Sequence, residues 1–255
     1  MESSPPLYLV ANWKQHGDAR RVRSFVHTMD HALRRMPTAI VPVFCPPAVY
    51  LTTAHSARST NSTLALGAQE CSPQREGAHT GQHGAHMLRE MGATYVLVGH
   101  SEVRASRGLT ATDIHLSCLQ ALESGIIPIL CIGETRDEYE AGNTHTILTQ
   151  QLAVLDGLPH APMLIAYEPV WAIGTGLTPT LEEIAQTHRW IKHSLQEGRD
   201  RSCPVLYGGS VNPTNIREIL SIAEVHGVLA GSASLHHDTW NSLCEAARAR
   251  GMPTT

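Results

Sequence analysis

Residues 163–176 read MLIAYEPVWAIGTG. An apolar run ends in a carboxylate, Glu168, and the next residue, Pro169, holds Glu168 extended and permits a sharp exit of the chain. An apolar segment follows, after which Gly174 and Gly176 bracket Thr175. A rigid apolar centre with small-residue ends suits a hinged lid. A carboxylate under such a lid is dried on closure, which raises its basicity. The competing reading is an ordinary loop between a strand and a helix, with a surface glutamate.

Working outward, the same arrangement recurs along the chain. Short apolar stretches read as strands at LYLVANW (7–13), AIVPVFC (39–45), LALGAQ (64–69), YVLVGH (95–100), IPILCIG (127–133), MLIAYE (163–168), PVLYGG (204–209) and GVLAG (227–231). They are apolar on both alternating faces, as parallel strands covered on both sides must be. Amphipathic helical patterns lie between them. TATDIHLSCLQALESG places Ile114, Cys118, Leu119 and Leu122 on one stripe and ends in Gly125, in the position of a C′ glycine. TLEEIAQTHRWIKHSLQEG opens on Thr180 with Glu183 three residues on, a capping box; its stripe is Ile184, Ile191 and Leu195, and Gly198 closes it. A last helix is expected over 238–249, with Trp240, Leu243 and Ala247 on its apolar side.

Eight such units, about thirty residues each and without a linker, predict an α/β fold: a single closed (β/α)8 barrel spanning residues 1–255, with 1–6 a flexible extension. A doubly wound open sheet is the alternative, and strand count does not exclude it. The polar residues favour the barrel. Asn12, Lys14, His100, Glu168, the 208–210 run and Gly231 all fall at C-terminal strand ends, which in a barrel converge on one mouth.

Composition narrows the function. The 255 residues are 42% hydrophobic and 16% charged, ample for a large core, and the net charge of −4 leaves no broad basic face for nucleic acid. No apolar run approaches a membrane span, and MESSPPLYLV lacks the basic-then-apolar order of a secretory signal. Six cysteines without a CxxC pair fit reduced thiols in a cytoplasm. Sixteen histidines are many, but neither the His27/His31 pair nor the His79, His83 and His86 group has the company of a dedicated metal site.

The chemistry-bearing residues gather at the expected mouth. LYGGSVNP (206–213) and GVLAGSASL (227–235) follow the last two strands. Small residues there let backbone N–H groups approach an anion, and loops in this place recur as phosphate sites in barrels; tight turns alone are the alternative. Lys14 adds a positive charge. In LVGHSEVR (97–104), Ser101 is expected near a helix N-cap, and a histidine at a helix N-terminus favours the neutral imidazole. Such a ring donates an N–H to a carbonyl and stabilises developing negative charge. A hydrogen-bonded core histidine or a metal ligand is the other reading of His100. Base, electrophile, cation and phosphate nest together describe proton abstraction beside the carbonyl of a small phosphorylated sugar, a reaction that requires no metal or organic cofactor.

ANWK, LVGHSE, LCIGE, AYEPVWAIGTG and YGGSV, in this order from residue 11 to about residue 235, resemble the motifs of the triosephosphate isomerase family. The resemblance implies a TIM barrel that interconverts dihydroxyacetone phosphate and glyceraldehyde 3-phosphate in glycolysis and gluconeogenesis, in the cytoplasm. It implies Glu168 as the base, His100 as the neutral electrophile, Lys14 for electrostatic binding and Asn12 for orientation. Glu102 would partner Lys14, with Tyr207 as a further support, and Gly174, Ser210, Gly231 and Ser232 would serve the phosphate. Residues 169–176 would form the lid.

The departures from the family pattern cluster. Gly231–Ser232 stands where a Gly–Gly pair is common; a positive φ at the second position would cost Ser on the order of 1 kcal/mol. GAHTGQ (77–82) stands for GAFTGE, HSEVR for HSERR, and NWKQH for NWKMN. In the family, loop three enters the partner subunit, and its Glu pairs across the interface with the first Arg of HSERR. Here those positions are Gln82 and Val103, so both charges are lost together, which is closer to neutral than losing one. His79 and Thr80 keep the loop's tip in reach of a neighbour. The expectation is a homodimer with a less charged interface; drift without selection for the dimer is the alternative. An isomerase of a four-carbon ketose phosphate and a barrel kept only for binding are the competing functions. The intact lid disfavours the first, and the retained base and lid disfavour the second.

Overall fold

The structure is a computed structural model that describes residues 6–34 and 39–250. Eight strands run in parallel: β1 (Leu7–Asn12), β2 (Ile40–Cys45), β3 (Ala65–Ala68), β4 (Tyr95–Val98), β5 (Ile127–Ile132), β6 (Leu164–Tyr167), β7 (Val205–Tyr207) and β8 (Gly227–Ala230). Each pairs with its sequence neighbours, and β1 also pairs with β8, with Tyr8 opposite Gly227. That last pairing closes the barrel and excludes the open sheet. Every expected strand is present, shorter by one or two residues at an end. The expected 95–100 strand stops at Val98 because Gly99, at φ 70°, turns the chain.

The helices are α1 (Ala19–Leu33), α2 (Leu51–Ala57), α3 (Ala85–Glu90), α4 (Ser101–Arg107), α5 (Ala111–Glu123), α6 (Arg136–Glu140), α7 (Thr144–Leu152), α8 (Leu181–Arg199), α9 (Ile216–Ser221) and α10 (His237–Arg250). Both ends of α5 follow local chemistry: Thr110 and Asp113 form a capping box, and Gly125 takes the left-handed conformation just past the end. Its buried stripe is Ile114, Ser117, Cys118 and Ala121, whereas Leu119 and Leu122 sit half-buried at its edge. The Thr180–Glu183 capping box opens α8, and Ile184, Ile191 and Leu195 are buried. Its end is later than expected: Gly198 stays helical and Asp200, at φ 49°, makes the turn. The buried Arg201 fixes that exit, its amide donating to the Leu195 carbonyl and its guanidinium to the carbonyls of Leu158 and Pro159. The last helix exceeds its expected range by one residue at each end.

The core has two layers. Val10, Val43, Leu97, Ile129, Cys131, Leu164, Ala166, Leu206 and Leu229 fill the barrel. Their strand neighbours, such as Leu9, Val96, Ile165 and Val228, pack under the helices. All six cysteines are free. Among the described residues no helix is long and apolar enough to cross a membrane. The expected N-terminal extension lies outside the described residues except for Pro6, which leads into β1.

Candidate functional site

The alternation along β6 aims Glu168 into the barrel mouth. Leu164 and Ala166 face inward, so the next inward position is Glu168, just past the strand. Two glycines make room for it. A Cβ on Gly133 would lie 1.7 Å from the Glu168 carbonyl oxygen, and one on Gly208 would lie 2.7 Å from Cγ of Glu168. These close approaches let the ends of β5 and β7 clasp β6: the Glu168 amide donates to Ile132 and the Gly208 amide to Tyr167, each at 2.7 Å. Only 2% of Glu168 is exposed. Burial raises its pKa above the ordinary carboxylate value, opposed by His100, the Ser101 amide and Lys14.

His100 is itself the N-cap of α4 and Ser101 its first helical residue, which agrees with the expectation of Ser101 near the N-cap. The Glu102 amide donates to Nδ1 of His100 at 3.2 Å. An amide N–H only donates, so Nδ1 carries no proton, the ring is neutral, and its remaining hydrogen is on Nε2. That Nε2 lies 3.1 Å from Oε1 of Glu168. The Ser101 amide donates to the other carboxylate oxygen at 3.3 Å.

Asn12 ends β1, and its Oδ1 accepts from the Lys14 amide at 3.0 Å. That bond braces a backbone in an unfavourable region, since Lys14 sits at φ 49°. Gln69 braces it from the other side, its Nε2 donating to the carbonyls of Lys14 and Cys45. The Lys14 ammonium pairs with Glu102. Across the mouth, it approaches the place of Gly231, where a Cβ would stand 3.8 Å from Nζ.

The mouth is a cavity of about 410 Å³ lined by Asn12, Lys14, His100, Glu168, Gly174, Ser210, Gly231 and Ser232, among others. Glu102 touches it through Lys14. Tyr207 is buried below, and among the described residues its hydroxyl has no partner. Ser232 opens a 3-10 turn (Ser232–Ser234) without a positive φ, so the substitution of Ser for Gly carries no backbone strain.

The segment after Pro169 forms a 3-10 turn (Val170–Ala172), then passes Gly174 and Gly176 at φ 69° and 77°. Ser210 donates to the Ala172 carbonyl at 2.6 Å. The root of the segment is held by Glu134, whose Oε1 accepts from Trp171 Nε1 at 3.0 Å and the Tyr167 hydroxyl at 3.1 Å. Glu134 is fully buried, and burial raises its pKa. It ends LCIGE, where the rule that singled out Glu168, a carboxylate just past a strand, applies equally. Gln69 and Arg104 were also missed by the sequence reading; Arg104 donates to the carbonyls of Gly99 and Cys131 and fixes the turn before His100.

Loop three stands apart. Residues 74–82 are all exposed, and His79 and Thr80 do not line the mouth. The loop closes on itself at its base: the Ser72 amide donates to the His83 carbonyl, and the Ser72 hydroxyl to Gln82 at 2.6 Å. Gln82 and Val103 line one cleft of about 240 Å³ within the same chain.

A buried carboxylate of raised basicity, a neutral imidazole aimed at it and an ammonium at the same mouth can move a proton beside a carbonyl and stabilise the resulting oxyanion. Comparison with known proteins points the same way. The sequence model of the triosephosphate isomerase family matches residues 7–247. The triosephosphate isomerase of Acidiphilium cryptum is 38% identical over 95% of this chain and 98% of its own, and that of Hyphomonas neptunium 41% over 91% and 94%. A crystal structure of triosephosphate isomerase from Bartonella henselae superposes with a TM-score of 0.85 at 30% identity, covering 95% of this chain and 99% of that one.

Proposed function

Since the chain belongs to the triosephosphate isomerase family, we propose that Glu168, His100, Lys14 and Asn12 carry the family's reaction here. The protein is an isomerase that interconverts dihydroxyacetone phosphate and glyceraldehyde 3-phosphate. The observation that carries the assignment is the contact between the two nearly buried groups, His100 Nε2 and Glu168 Oε1 at 3.1 Å. Substrate entering between them accepts a hydrogen bond from Nε2 on its carbonyl oxygen. The released carboxylate then removes a proton from the carbon beside that carbonyl. The electron pair moves to oxygen as an enediolate; His100 gives its Nε2 proton to that oxygen and takes up the proton of the adjacent hydroxyl, and Glu168 returns its proton to the former carbonyl carbon. Glu168 and His100 end as they began, and each step uses only side chains of this chain.

Lys14 offsets the charge of substrate and enediolate, and Asn12 and Glu102 hold Lys14 in place. The phosphate is assigned to the N–H groups of Gly174, Ser210, Gly231 and Ser232, which line the same cavity. Residues 169–176 act as the lid that excludes water and suppresses loss of phosphate from the enediolate. Tyr207, under this wall, supports it.

The whole chain is read as one barrel domain, acting as a homodimer in the cytoplasm. The exposed loop of residues 74–82, fixed at its base through Ser72, supports a contact between copies through His79, Thr80 and Gln82 with the face carrying Val103. Six free cysteines support a reducing compartment. The test is a coupled assay with three-carbon and four-carbon ketose phosphates, on the wild type and Glu168→Gln. Turnover of the three-carbon substrate that Glu168→Gln abolishes is the expected result. Turnover that persists in the variant would remove Glu168 as the base.

A further inference from the structure

Outside the barrel mouth, a groove of about 570 Å³ runs between α6 and α7 on one side and α8 on the other. That volume lies in the range of small-molecule sites. Its borders are two aromatic pairs already packed together: Tyr139 against Trp171 at 4.5 Å between ring centroids, and His145 stacked on Trp190 at 4.6 Å and 3°. Rings held by one another have little freedom left to lose when a ligand arrives.

The polar groups along the groove give it a direction. Glu183, Trp190 and His193 lie on α8, and the ten steps from Glu183 to His193 span about 15 Å of helix. The Glu183 carboxylate accepts from the Tyr139 hydroxyl and from the amide and hydroxyl of Thr180, so the end near the lid is satisfied internally. The other end holds unspent donors. Among the described residues, Arg189 is engaged only through Nε, with Glu224 at 3.1 Å, which leaves both terminal nitrogens for a ligand. His193, one helical turn on, and His145, across the groove, stand beside it. Aromatic walls with a donor cluster at one end fit a planar ring carrying an anionic group.

We propose that this groove is a binding site for a planar aromatic carboxylate, and that its occupation opposes closure of the lid. The ring lies along Trp190 toward Trp171, and the carboxylate meets Arg189 and His193. The second part rests on the lid reading given above. Trp171 belongs both to the groove and to the root of the 169–176 segment, where its indole is tied to Glu134. A ligand packed on Trp171 in this position binds this arrangement better than one in which the segment has moved, and it shifts the population accordingly.

The test is calorimetric titration of the whole protein with indole-3-acetate, beside tryptamine and 3-methylindole as cationic and neutral probes. Turnover is measured in parallel. Saturable binding of the anion is expected, about ten-fold tighter than either other probe, with a loss of about ten-fold in Trp190→Ala and in Arg189→Gln. Neither variant touches the mouth, so each should keep wild-type turnover without the probe. Saturating probe should lower kcat with KM nearly unchanged, and the probe concentration that gives half of this effect should rise about ten-fold in Trp190→Ala. Lack of saturable binding, equal binding of tryptamine, or binding that both variants leave intact would overturn the site. Binding that obeys these rules but leaves kcat untouched, or that raises KM alone, would overturn the coupling to the lid and leave the assignment of the catalytic residues standing.

Discussion

The Glu168 carboxylate rests on the His100 imidazole, Oε1 to Nε2 at 3.1 Å, with both side chains almost wholly buried. The two groups assigned to the reaction therefore hold each other until substrate parts them, and the spacing between them sets where the substrate must lie. Glu168→Asp withdraws the carboxylate by one methylene, about 1 Å, which should lower kcat on the order of 10²-fold with a much smaller change in KM. Steady-state kinetics in both directions checks this, and an unchanged kcat would contradict it.

The raised pKa of Glu168 has opposite consequences for activity and stability. The base works ionised, so kcat/KM should fall with decreasing pH around a midpoint above the ordinary value of 4.5. A carboxyl whose folded-state pKa is raised adds stability below its unfolded pKa, and this is lost as pH rises through the folded-state value. Glu168→Gln should thus be more stable than the wild type at neutral pH while losing turnover, with the stability difference shrinking toward pH 4. Urea titrations at several pH values read the second half, and a variant less stable at pH 7 would refute it.

Glu134 ties the lid root to the barrel through two donors, Trp171 Nε1 and the Tyr167 hydroxyl. Glu134→Ala strands both, and a buried donor left unpaired costs about 1–3 kcal/mol. A destabilisation of about 2 kcal/mol is expected by denaturant unfolding. Trp171→Phe, which removes one donor and leaves Glu134 bonded to Tyr167, should cost less than Glu134→Ala. The reverse order would show that the carboxylate is not the anchor.

We propose that Gln82 and Val103 stand as a unit where the family carries a charge pair between subunits; within this chain Gln82 is partnered by Ser72. The double variant Gln82→Glu with Val103→Arg should restore a charged interface, whereas either single change should weaken the dimer by leaving one charge unpaired. Dissociation constants from sedimentation across the four proteins complete the cycle. A dimer strengthened by Val103→Arg alone would contradict coupled replacement.

The barrel was legible because each strand announces itself by a doubly apolar run, and the helices α5 and α8 by an apolar stripe with a closing glycine at Gly125 or a capping box at Thr180. The mouth residues were legible because polar groups at strand C-terminal ends have one place to go in a closed barrel. What escaped depends on partners distant in sequence. Gln69 braces Lys14 from 55 residues away, Arg104 ties two strand ends together, and the buried Arg201 carries α8 past Gly198 to Asp200.

Lys14 holds a positive φ that a side chain adopts only under constraint, and the constraint comes from Asn12 in front and Gln69 behind. A backbone held this way is a reservoir of tension of order 1–3 kcal/mol. The chain is thus not built for maximal durability at this point: glycine would relax the bend, and the ammonium would be gone. Durability and charge thus pull against each other at position 14, where the change that relaxes the bend removes the ammonium from the mouth.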